Sequence, residues 1–379
     1  MEDILKGFKD YTGEEAQKRA FVQKVLVETF ERYGFEPAET PIIEYEEFVR
    51  GSQEQAQDEV ISDIYKLQDK AKRKLALRYE FTFQIKRLMK NKKLPYKRYQ
   101  IGPVFRDEPI SKNRLRQFVQ CDADIISSTI KDEAELLSMA VEIAKKLKIE
   151  PVILVNNRKL LSEILEKEQI KKKNRQKVLT EIDKYGKLPE SEIKKNLDGL
   201  GAGNLLNQLK KNESYFKQFK SYKEILDLIK YCRLFGVKVL FSPTIVRGLG
   251  YYNGTVFEVK AKGVKETIIA GGAFKIDNIQ SFGISFGLDR ITALSKIEDK
   301  KEKYLVVSLG QDKEAISTLQ RLREKNKAVG IYYGKPSKAL QYANSYDFNK
   351  VIMIGENEVK KKKIKVKDMK SGKESVMGI

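Results

Sequence analysis

The sequence predicts an α+β protein whose antiparallel core sheet carries a helical insertion and is followed by a smaller α/β domain. Three observations predict it. Two alternating strands at residues 99–108 and 114–124 are separated by DEPISKN, whose Pro, Ser and Asn favour the turn of an antiparallel hairpin. Residues 157–238 carry Leu and Ile at helical spacing. From Tyr304 onward, strand patterns alternate with helix patterns, as they do in a parallel sheet.

The other elements of the core follow in chain order from breaks in these patterns. A helix over residues 14–33 ends where Gly34 supplies the C-terminal cap, and a second helix covers residues 131–147. The helical insertion is broken between residues 186 and 203, where glycines flank Pro189. Strands return with VKVLFSP, YYNGTVFEVKA and ETIIAGG, and these close the antiparallel sheet.

The C-terminal part is predicted to alternate strand and helix. Its strands are YLVVSLG, AVGIYYG and KVIMIG, and its helices cover residues 313–325 and 337–344. A charged linker at residues 299–303 precedes them. These breaks divide the chain into residues 1–156, 157–238, 239–300 and 301–379.

The two faces of the second hairpin strand differ in chemistry. One face is predicted to be core and carries Leu115, Val119, Cys121 and Ala123. The other carries Arg114, Arg116, Phe118, Gln120, Asp122 and Asp124. The first strand adds Arg106 and Glu108. Cations, an aromatic ring and carboxylates together suit a phosphate, a flat base and an amine, so this face predicts a nucleotide beside an amino acid. The alternative is a solvated strand face with ordinary salt bridges.

Length and charge set the broad class of the protein. A chain of 379 residues with 41% hydrophobic residues is expected to form two or three domains with sizeable cores. The net charge of +21 favours a polyanion as partner. Residues 301–379 contain 18 Lys and Arg against 9 Asp and Glu, which is +9 of that total. The alternative is a lysine-rich proteome in which every protein is basic.

The absence of histidine excludes several reaction classes. Cys121 and Cys232 are the two cysteines of the sequence and are expected to be buried thiols, which excludes a disulfide framework and argues against protein-held zinc. Without an imidazole, no Ser-His-Asp or Cys-His site can form, so any catalysis must use positioning and fixed charge. No leader-like apolar run and no segment of membrane-spanning length occurs, which predicts a cytoplasmic protein.

Several motifs resemble those of the class II aminoacyl-tRNA synthetases. FRDE followed by RxRQFxQ resembles motif 2, GISFGLDR resembles motif 3, and ETPIIEYEEF around Pro41 resembles motif 1. LRYEFT at residues 77–82 is similar to the amino-acid-binding strand of these enzymes. RGLGYYNGTVFE at residues 247–258 is similar to the histidine-binding signature of histidyl-tRNA synthetases, and QCDADI resembles the form in their archaeal and eukaryotic branch. The resemblance covers nearly the whole chain.

The resemblance implies an enzyme that activates histidine and transfers it to tRNA(His). It implies ATP brought in with Mg²⁺, no protein-held zinc, and a homodimer formed through the segment around Pro41. Residues 1–156 and 239–300 would form the two parts of the catalytic core, with the insertion domain between them. Residues 301–379 would be the anticodon-binding domain. That domain stops where the family usually continues into a final helix, so it is either minimal or covered by a dimer partner.

The resemblance also implies roles at the nucleotide. Arg106 would hold the α-phosphate in the transition state, and Glu108 would accept from the adenine amino group. Phe118 and Arg290 would sandwich the adenine, and Arg114 would reach the outer phosphates. Arg247 would approach the α-phosphate from the opposite side, where related enzymes use a metal ion. The alternative for Arg247 is a structural ion pair.

For the amino acid, the resemblance implies a site with two ends. Glu80, Thr82 and Gln120 would take the α-ammonium group. Asp124 and Tyr252 would bind the two imidazole nitrogens, with Tyr251 packed beside them. Such a site rejects analogues because a wrong side chain leaves buried polar groups unpaired. The glycines that would give a ligand clearance, or else mark bends of the sheet, are Gly271, Gly272, Gly283 and Gly287. Gly250 stands where the family often has Asp.

Two other functions remain open from the sequence. One is the synthetase-like regulatory subunit of ATP phosphoribosyltransferase, which binds histidine without charging tRNA. The other is a nucleic-acid-binding protein with a decayed synthetase core. The retained Arg106, Glu108, Arg247 and Arg290, together with the C-terminal domain, favour the enzyme.

Overall fold

The computed structural model describes residues 3–50, 63–110, 114–247, 251–297 and 302–378. The chain divides into two compact units, Met1–Ile297 and Glu298–Ile379. The predicted α+β class is confirmed, because the first unit is built on a largely antiparallel sheet and the second on a separate sheet with helices. The finer division of the first unit into core parts and an insertion stays a prediction. Most of the predicted linker at 299–303 lies outside the described residues.

The first unit contains strands of very different length. Its strands are β1 (Glu36–Pro37), β2 (Ile43–Tyr45), β3 (Lys66–Gln68), β4 (Lys74–Leu77), β5 (Tyr96–Phe105), β6 (Gln117–Ile126), β7 (Pro151–Asn157), β8 (Val239–Phe241), β9 (Tyr252–Ala261), β10 (Thr267–Ile276) and β11 (Ile279–Gly287). Its helices are α1 (Gly13–Arg32), α2 (Glu46–Arg50), α3 (Thr82–Leu88), α4 (Ile130–Lys146), α5 (Arg158–Lys167), α6 (Lys172–Asp183), α7 (Glu190–Gly199), α8 (Leu205–Leu209), α9 (Glu213–Phe216), α10 (Tyr222–Leu234) and α11 (Leu288–Leu294).

The large sheet has the strand order β1-β5-β6-β11-β10-β9-β7-β8. It is antiparallel except for the β1–β5 and β7–β8 pairs at its two edges. The predicted hairpin is confirmed as β5 and β6, with Arg98 opposite Asp124 and Gly102 opposite Gln120. β5 begins and ends earlier than predicted, and β6 begins and ends later. β6 begins late because the amide of Arg116 donates to the carbonyl of Gly7 at 2.8 Å instead of extending the strand.

The two faces of β6 separate as the alternation predicts. Cys121 and Ala123 are fully buried in a hydrophobic cluster that includes Leu26 of α1, Leu137 of α4 and Leu228 of α10. Helices therefore cover this side of the sheet, which we call the helix face. The predicted helices α1 and α4 are confirmed within one residue at each end, and Gly34 follows α1 with φ of 79°. The residues 157–238 are largely helical, as predicted, and contribute to the same cluster.

The LRYEFT segment is not a strand, in contrast to the expectation from the resemblance. Leu77 ends β4 and Thr82 begins α3, so the residues between them form a short connection. Arg78 explains the break, since its side chain donates to the carbonyl of Pro103 at 2.7 Å and to that of Thr40 at 2.8 Å. Backbone bonds from the amide of Arg78 to the carbonyl of Ile42 at 2.9 Å, and from the amide of Phe105 to the carbonyl of Arg78 at 3.1 Å, also tie the connection to the sheet.

The second unit has a parallel core with an antiparallel extension. Its elements are β12 (Lys303–Ser308), α12 (Asp312–Glu324), β13 (Ala328–Tyr333), α13 (Pro336–Ser345), β14 (Lys350–Ile354), α14 (Glu356–Lys360), β15 (Lys363–Asp368) and β16 (Glu374–Gly378). The predicted parallel strands are confirmed in the order β13-β12-β14. The antiparallel pair β15–β16 was not predicted; Ile364 and Val366 are buried there between exposed lysines.

Candidate active site

Glycines leave space above the sheet on the side opposite the helix face. Gly272, Gly283, Asp124 and Arg98 are neighbours in one row across β10, β11, β6 and β5. A methyl group on Gly283 would lie 2.2 Å from Oδ1 of Asp124, and one on Gly272 would lie 2.9 Å from the ring of Tyr252. The two glycines therefore allow Asp124 and Tyr252 to lie over the strands, which explains the first use of glycine that the sequence suggested.

Asp124 is paired with a buried arginine on the neighbouring strand. The Nη2 atom of Arg98 lies 2.8 Å from Oδ2 of Asp124, and the two side chains are 0% and 6% exposed. Arg98 also donates to the carbonyl of Phe81 at 3.0 Å, which links β5 to the start of α3. Arg98 was not among the predicted site residues, because the predicted strand began at residue 99. The signal was present, since Arg98 has the same alternation phase as Gln100 and Arg106.

A second buried carboxylate, after Asp124, belongs to Glu80 and contacts Thr82 and Tyr251. Oε2 of Glu80 accepts from the hydroxyls of Thr82 and Tyr251, each at 3.1 Å, while its Oε1 has no hydrogen-bond partner among the described residues. Burial and the nearby Asp122 carboxylate together raise the pKa of Glu80 to about 7. Such a carboxylate lacks a cation, which an ammonium group would supply.

The imidazole end of the predicted site is also acidic. Burial, with smaller contributions from the carboxylates of Asp122 and Glu80, raises the pKa of Asp124 to about 7 against the opposing charge of Arg98. The ring of Tyr252 lies 4.8 Å from that of Tyr251, which contacts Phe274 at 5.9 Å between centroids. The structure thus places Asp124, Tyr251 and Tyr252 on the same side of the sheet as Glu80.

Gln120 connects this acidic half to a basic half. Its Oε1 accepts from Nη2 of Arg106 at 3.0 Å, and its Nε2 donates to Oδ2 of Asp122 at 3.0 Å. Asp122 was identified on this face in the sequence but was given no role. It closes the polar network between Gln120 and Ser285, whose hydroxyl also accepts from Gln120 at 3.2 Å.

Arg106 lies between two aromatic rings. Its guanidinium carbon is 4.2 Å from the ring centre of Tyr79 and 5.0 Å from that of Phe118. Glu108 accepts from the hydroxyl of Tyr79 at 3.2 Å and pairs with Nε of Arg114 at 2.7 Å. Tyr79 was not among the predicted site residues, although Tyr79 lies within the LRYEFT segment.

Arg290 and Arg247 complete the basic half. Arg290 donates to the carbonyl of Thr267 at 3.1 Å. Burial lowers the pKa of Arg290, and the positive charges of Arg114, Arg106 and Arg247 lower it further, against an opposing effect of Glu266. These four arginines therefore repel one another in the absence of an anion. A polyphosphate would relieve that repulsion.

Arg247 has features expected of a structural ion pair and features expected of a residue that binds a ligand. Its Nη1 lies 3.5 Å from Oε1 of Glu258, which is an ion pair, but a long one. Its Nε is buried without a hydrogen-bond partner among the described residues, and its backbone has φ of 62°. The next three residues, including Gly250, lie outside the described residues. The unused donor leaves Arg247 free to bind a further acceptor.

The cysteines and acidic groups offer little for metal binding. Cys121 and Cys232 are both free and buried, as predicted. Among the described residues, no cluster of three or more His, Cys, Asp or Glu could hold a metal ion. Within the same residues, no helix is long and apolar enough to cross a membrane.

Comparisons with known proteins identify the family. The profile of the family described as histidyl-tRNA synthetase matches residues 7–291. Histidine--tRNA ligase 1 of Bacillus cereus is 35% identical over 409 aligned positions, covering 98% of this chain and 94% of that protein. The chain belongs to the histidyl-tRNA synthetase family. The branch of the histidyl-tRNA synthetases to which it belongs stays a prediction.

Solved structures have the same fold. A histidyl-tRNA synthetase from Nostoc sp. PCC 7120 superposes with a TM-score of 0.86 at 23% identity, covering 100% of this chain and 97% of that one. A protein from Bacillus halodurans C, described as an ATP phosphoribosyltransferase regulatory subunit/histidyl-tRNA synthetase, superposes with a TM-score of 0.77 at 18% identity, covering 93% of this chain and 98% of that one. The histidyl-tRNA synthetase fold therefore includes both described units.

Proposed function

We propose that the chain is a histidine--tRNA ligase: it forms histidyl-adenylate from histidine and ATP and transfers the histidyl group to tRNA(His). One observation carries this proposal. An acidic half with Glu80 and Asp124 and a basic half of four arginines meet at Gln120, which contacts both Arg106 and Asp122 at 3.0 Å. A zwitterionic amino acid beside a polyphosphate matches that division of charge.

In this proposal the protein accelerates activation by orientation and fixed charge. The histidine carboxylate attacks the α-phosphorus of ATP, the bond to pyrophosphate breaks, and negative charge develops on the α-phosphate oxygens. Arg106 and Arg247 stabilise that charge from two sides. Phe118 and Arg290 hold the adenine, Glu108 accepts from its amino group, and Arg114 binds the outer phosphates. Mg²⁺ enters as part of the ATP substrate, and no protein-held zinc is invoked.

Histidine is bound by the acidic half. Its α-ammonium donates to Glu80, with Thr82 and Gln120 beside it. Asp124 and Tyr252 bind the imidazole nitrogens, and Tyr251 packs against the ring. Arg98 is a positioning residue for Asp124, because its fully buried guanidinium lies 2.8 Å from the carboxylate. Truncating either partner of this pair would leave the other charge buried and uncompensated.

Aminoacylation of tRNA by the full chain tests the proposed function. With tRNA(His), ATP, Mg²⁺ and labelled histidine, we expect acid-stable charging that stops when ATP is omitted. The regulatory alternative is kept because of the Bacillus halodurans likeness. A protein that binds histidine but never charges tRNA(His), under conditions where a known ligase does, would favour that alternative.

Histidine binding should depend on pH through Glu80. Its pKa of about 7 is raised, so the carboxyl is neutral below that value and ionised above it. The ammonium prefers the ionised form, so affinity should fall as pH drops, by about tenfold in all between about pH 8 and pH 6 for this one group. Calorimetric titration between about pH 6 and pH 8 would measure it.

Glu80→Gln is the matched control for the pH dependence. It keeps an acceptor oxygen for Thr82 and Tyr251 but cannot ionise. The imidazole of free histidine titrates in the same range for both proteins, so the difference between the two profiles isolates Glu80. Parallel profiles would contradict the role of Glu80.

The second unit is proposed to bind the anticodon region of the tRNA. A chain ending at Ile297, the last residue of the first unit, should retain histidine-dependent pyrophosphate exchange and lose most tRNA charging. The deletion removes Lys300 and the 18 Lys and Arg of residues 301–379, so the intact chain should show the steeper loss of tRNA affinity with added salt. Equal charging by both proteins would contradict this role.

We also propose a cytoplasmic homodimer formed through the segment around Pro41. Exposed apolar side chains support an interface there: Ile42, Ile43 and Tyr45 follow Pro41 and remain accessible. Light scattering at micromolar concentration should give twice the mass of the chain, and Ile43→Glu should shift it toward the monomer. A fully active, stable monomer would contradict the proposal.

A further inference from the structure

A cavity separate from the proposed active site lies in the first unit, on the helix face of the large sheet. It has a volume of about 260 Å³. Its polar lining comes from the loop before α4, from α4 itself and from α5 and α10: Ser128, Thr129, Glu133, Lys159, Glu224 and Asp227. Gln280 and Thr255 close it from the sheet. The proposed histidine site lies on the other face, where Gly283 contacts Asp124.

Glu133 is the unusual member of this lining. It is 7% exposed, and its Oε2 has no hydrogen-bond partner among the described residues. The hydroxyl of Ser128, 9% exposed, also lacks a partner there. Burial, together with the carboxylate of Glu224, raises the pKa of Glu133 to about 7. A buried acceptor and a hydroxyl left open beside a cavity have lost hydrogen bonds that a ligand could restore.

The charges around the cavity do not balance. Nζ of Lys159 lies 2.7 Å from Oε1 of Glu224, and Asn157 donates to the other oxygen at 2.8 Å. Glu224 is therefore satisfied within the protein. Among the described residues, neither Glu133 nor Asp227 has an ion-pair partner within 4.0 Å. The local negative charge is notable in a chain of net charge +21, and it would repel the phosphates of RNA.

The geometry favours an organic cation over a metal ion. No cluster of three or more acidic groups among the described residues is close enough to share one metal ion. The cavity is several times larger than one water, whose share of liquid volume is about 30 Å³. A primary ammonium has three N–H donors, which suit one carboxylate oxygen and neighbouring hydroxyls.

We propose that this cavity binds a small diamine, with one ammonium at Glu133 and Ser128 and the second toward Asp227. The first ammonium donates to the two polar groups that lack a partner, Oε2 of Glu133 and the hydroxyl of Ser128. The second ammonium supplies the counter-charge that Asp227 lacks. The methylene chain between them lies along Ile130 and Ala273, which form the apolar part of the lining.

Calorimetric titration of the full chain with 1,4-diaminobutane tests the proposal. Saturating histidine is present throughout, so that the ammonium site at Glu80 is filled. We expect one binding event with the diamine and none with the neutral 1,4-butanediol. Glu133→Gln should weaken binding by about tenfold or more, because a charged hydrogen bond is lost. Asp227→Asn, at a partly exposed position that cannot affect folding greatly, should weaken it as well.

Glu150→Gln is the matched control. It makes the same substitution at an exposed glutamate that pairs with the exposed Lys262, outside the cavity. It should bind the diamine as the unmodified chain does. The proposal is overturned if no diamine binding is detected, if the diol binds equally well, or if Glu133→Gln and Glu150→Gln are indistinguishable.

Discussion

Replacing Arg247 by alanine is expected to slow histidyl-adenylate formation by about two to three orders of magnitude, with little change in histidine affinity. The side chain belongs to the group of arginines whose charges act on Arg290, and its Nε has no partner among the described residues. Its contact with Glu258, at 3.5 Å, is too long to account for the whole guanidinium. The lost interaction is made with charge that develops in the transition state, so the rate should fall and binding should not.

Single-turnover kinetics and calorimetric titration with histidine separate these effects. Asp124→Ala provides the opposite pattern, because it removes an imidazole contact and leaves Arg98 buried without its counter-charge. Arg175→Ala controls for loss of an arginine elsewhere, since Arg175 of α6 pairs with Glu166 of α5. An Arg247→Ala enzyme with a normal activation rate would identify Arg247 as a structural ion pair with Glu258.

Gly283→Ala is expected to weaken histidine binding by about a hundredfold and to lower the melting temperature. The new methyl group would lie 2.2 Å from Oδ1 of Asp124 and 3.1 Å from the ring of Phe274. Asp124 cannot move away without giving up its contact with Arg98, and breaking a buried ion pair costs about 3–5 kcal/mol. Calorimetric titration without ATP and thermal unfolding would measure the two effects.

Gly287→Ala is the matched control for Gly283→Ala. Gly287 lies on the same strand and the same face, yet a methyl group there would meet nothing within 4 Å. Its φ of −81° suits any residue. Histidine affinity should therefore remain as in the unmodified chain. Similar losses in both variants would show that clearance at Asp124 is not what Gly283 provides.

Much of the site could be predicted because strand alternation is a local property. The six alternate residues from Arg114 to Asp124 could be assigned to one face from spacing alone, and Gln120, Asp122 and Asp124 do share a face. The register of β5 against β6 could not be read in the same way. That register pairs Arg98 with Asp124. Alternation indicates the face on which Arg98 lies, but it does not indicate which residue of β6 lies opposite.

Other differences have similar physical causes. LRYEFT was expected to be a strand, but its backbone is tied by the side chain of Arg78 to carbonyls more than twenty residues away. The β15–β16 pair was missed because the lysine-rich β15 has only two apolar residues, Ile364 and Val366, on its buried face. The roles of the site residues rest on the family motifs, since no spacing indicates which arginine meets which phosphate.

Pyrophosphate exchange with ATP, measured separately with each of the twenty amino acids, tests the central claim most directly. The claim is that the acidic and basic halves of this site activate histidine. Exchange should require Mg²⁺-ATP and should be supported by histidine alone, because Asp124 and Tyr252 are the proposed partners of two opposed ring nitrogens. Exchange supported by a different amino acid, or no exchange with histidine in a folded chain, would contradict the account.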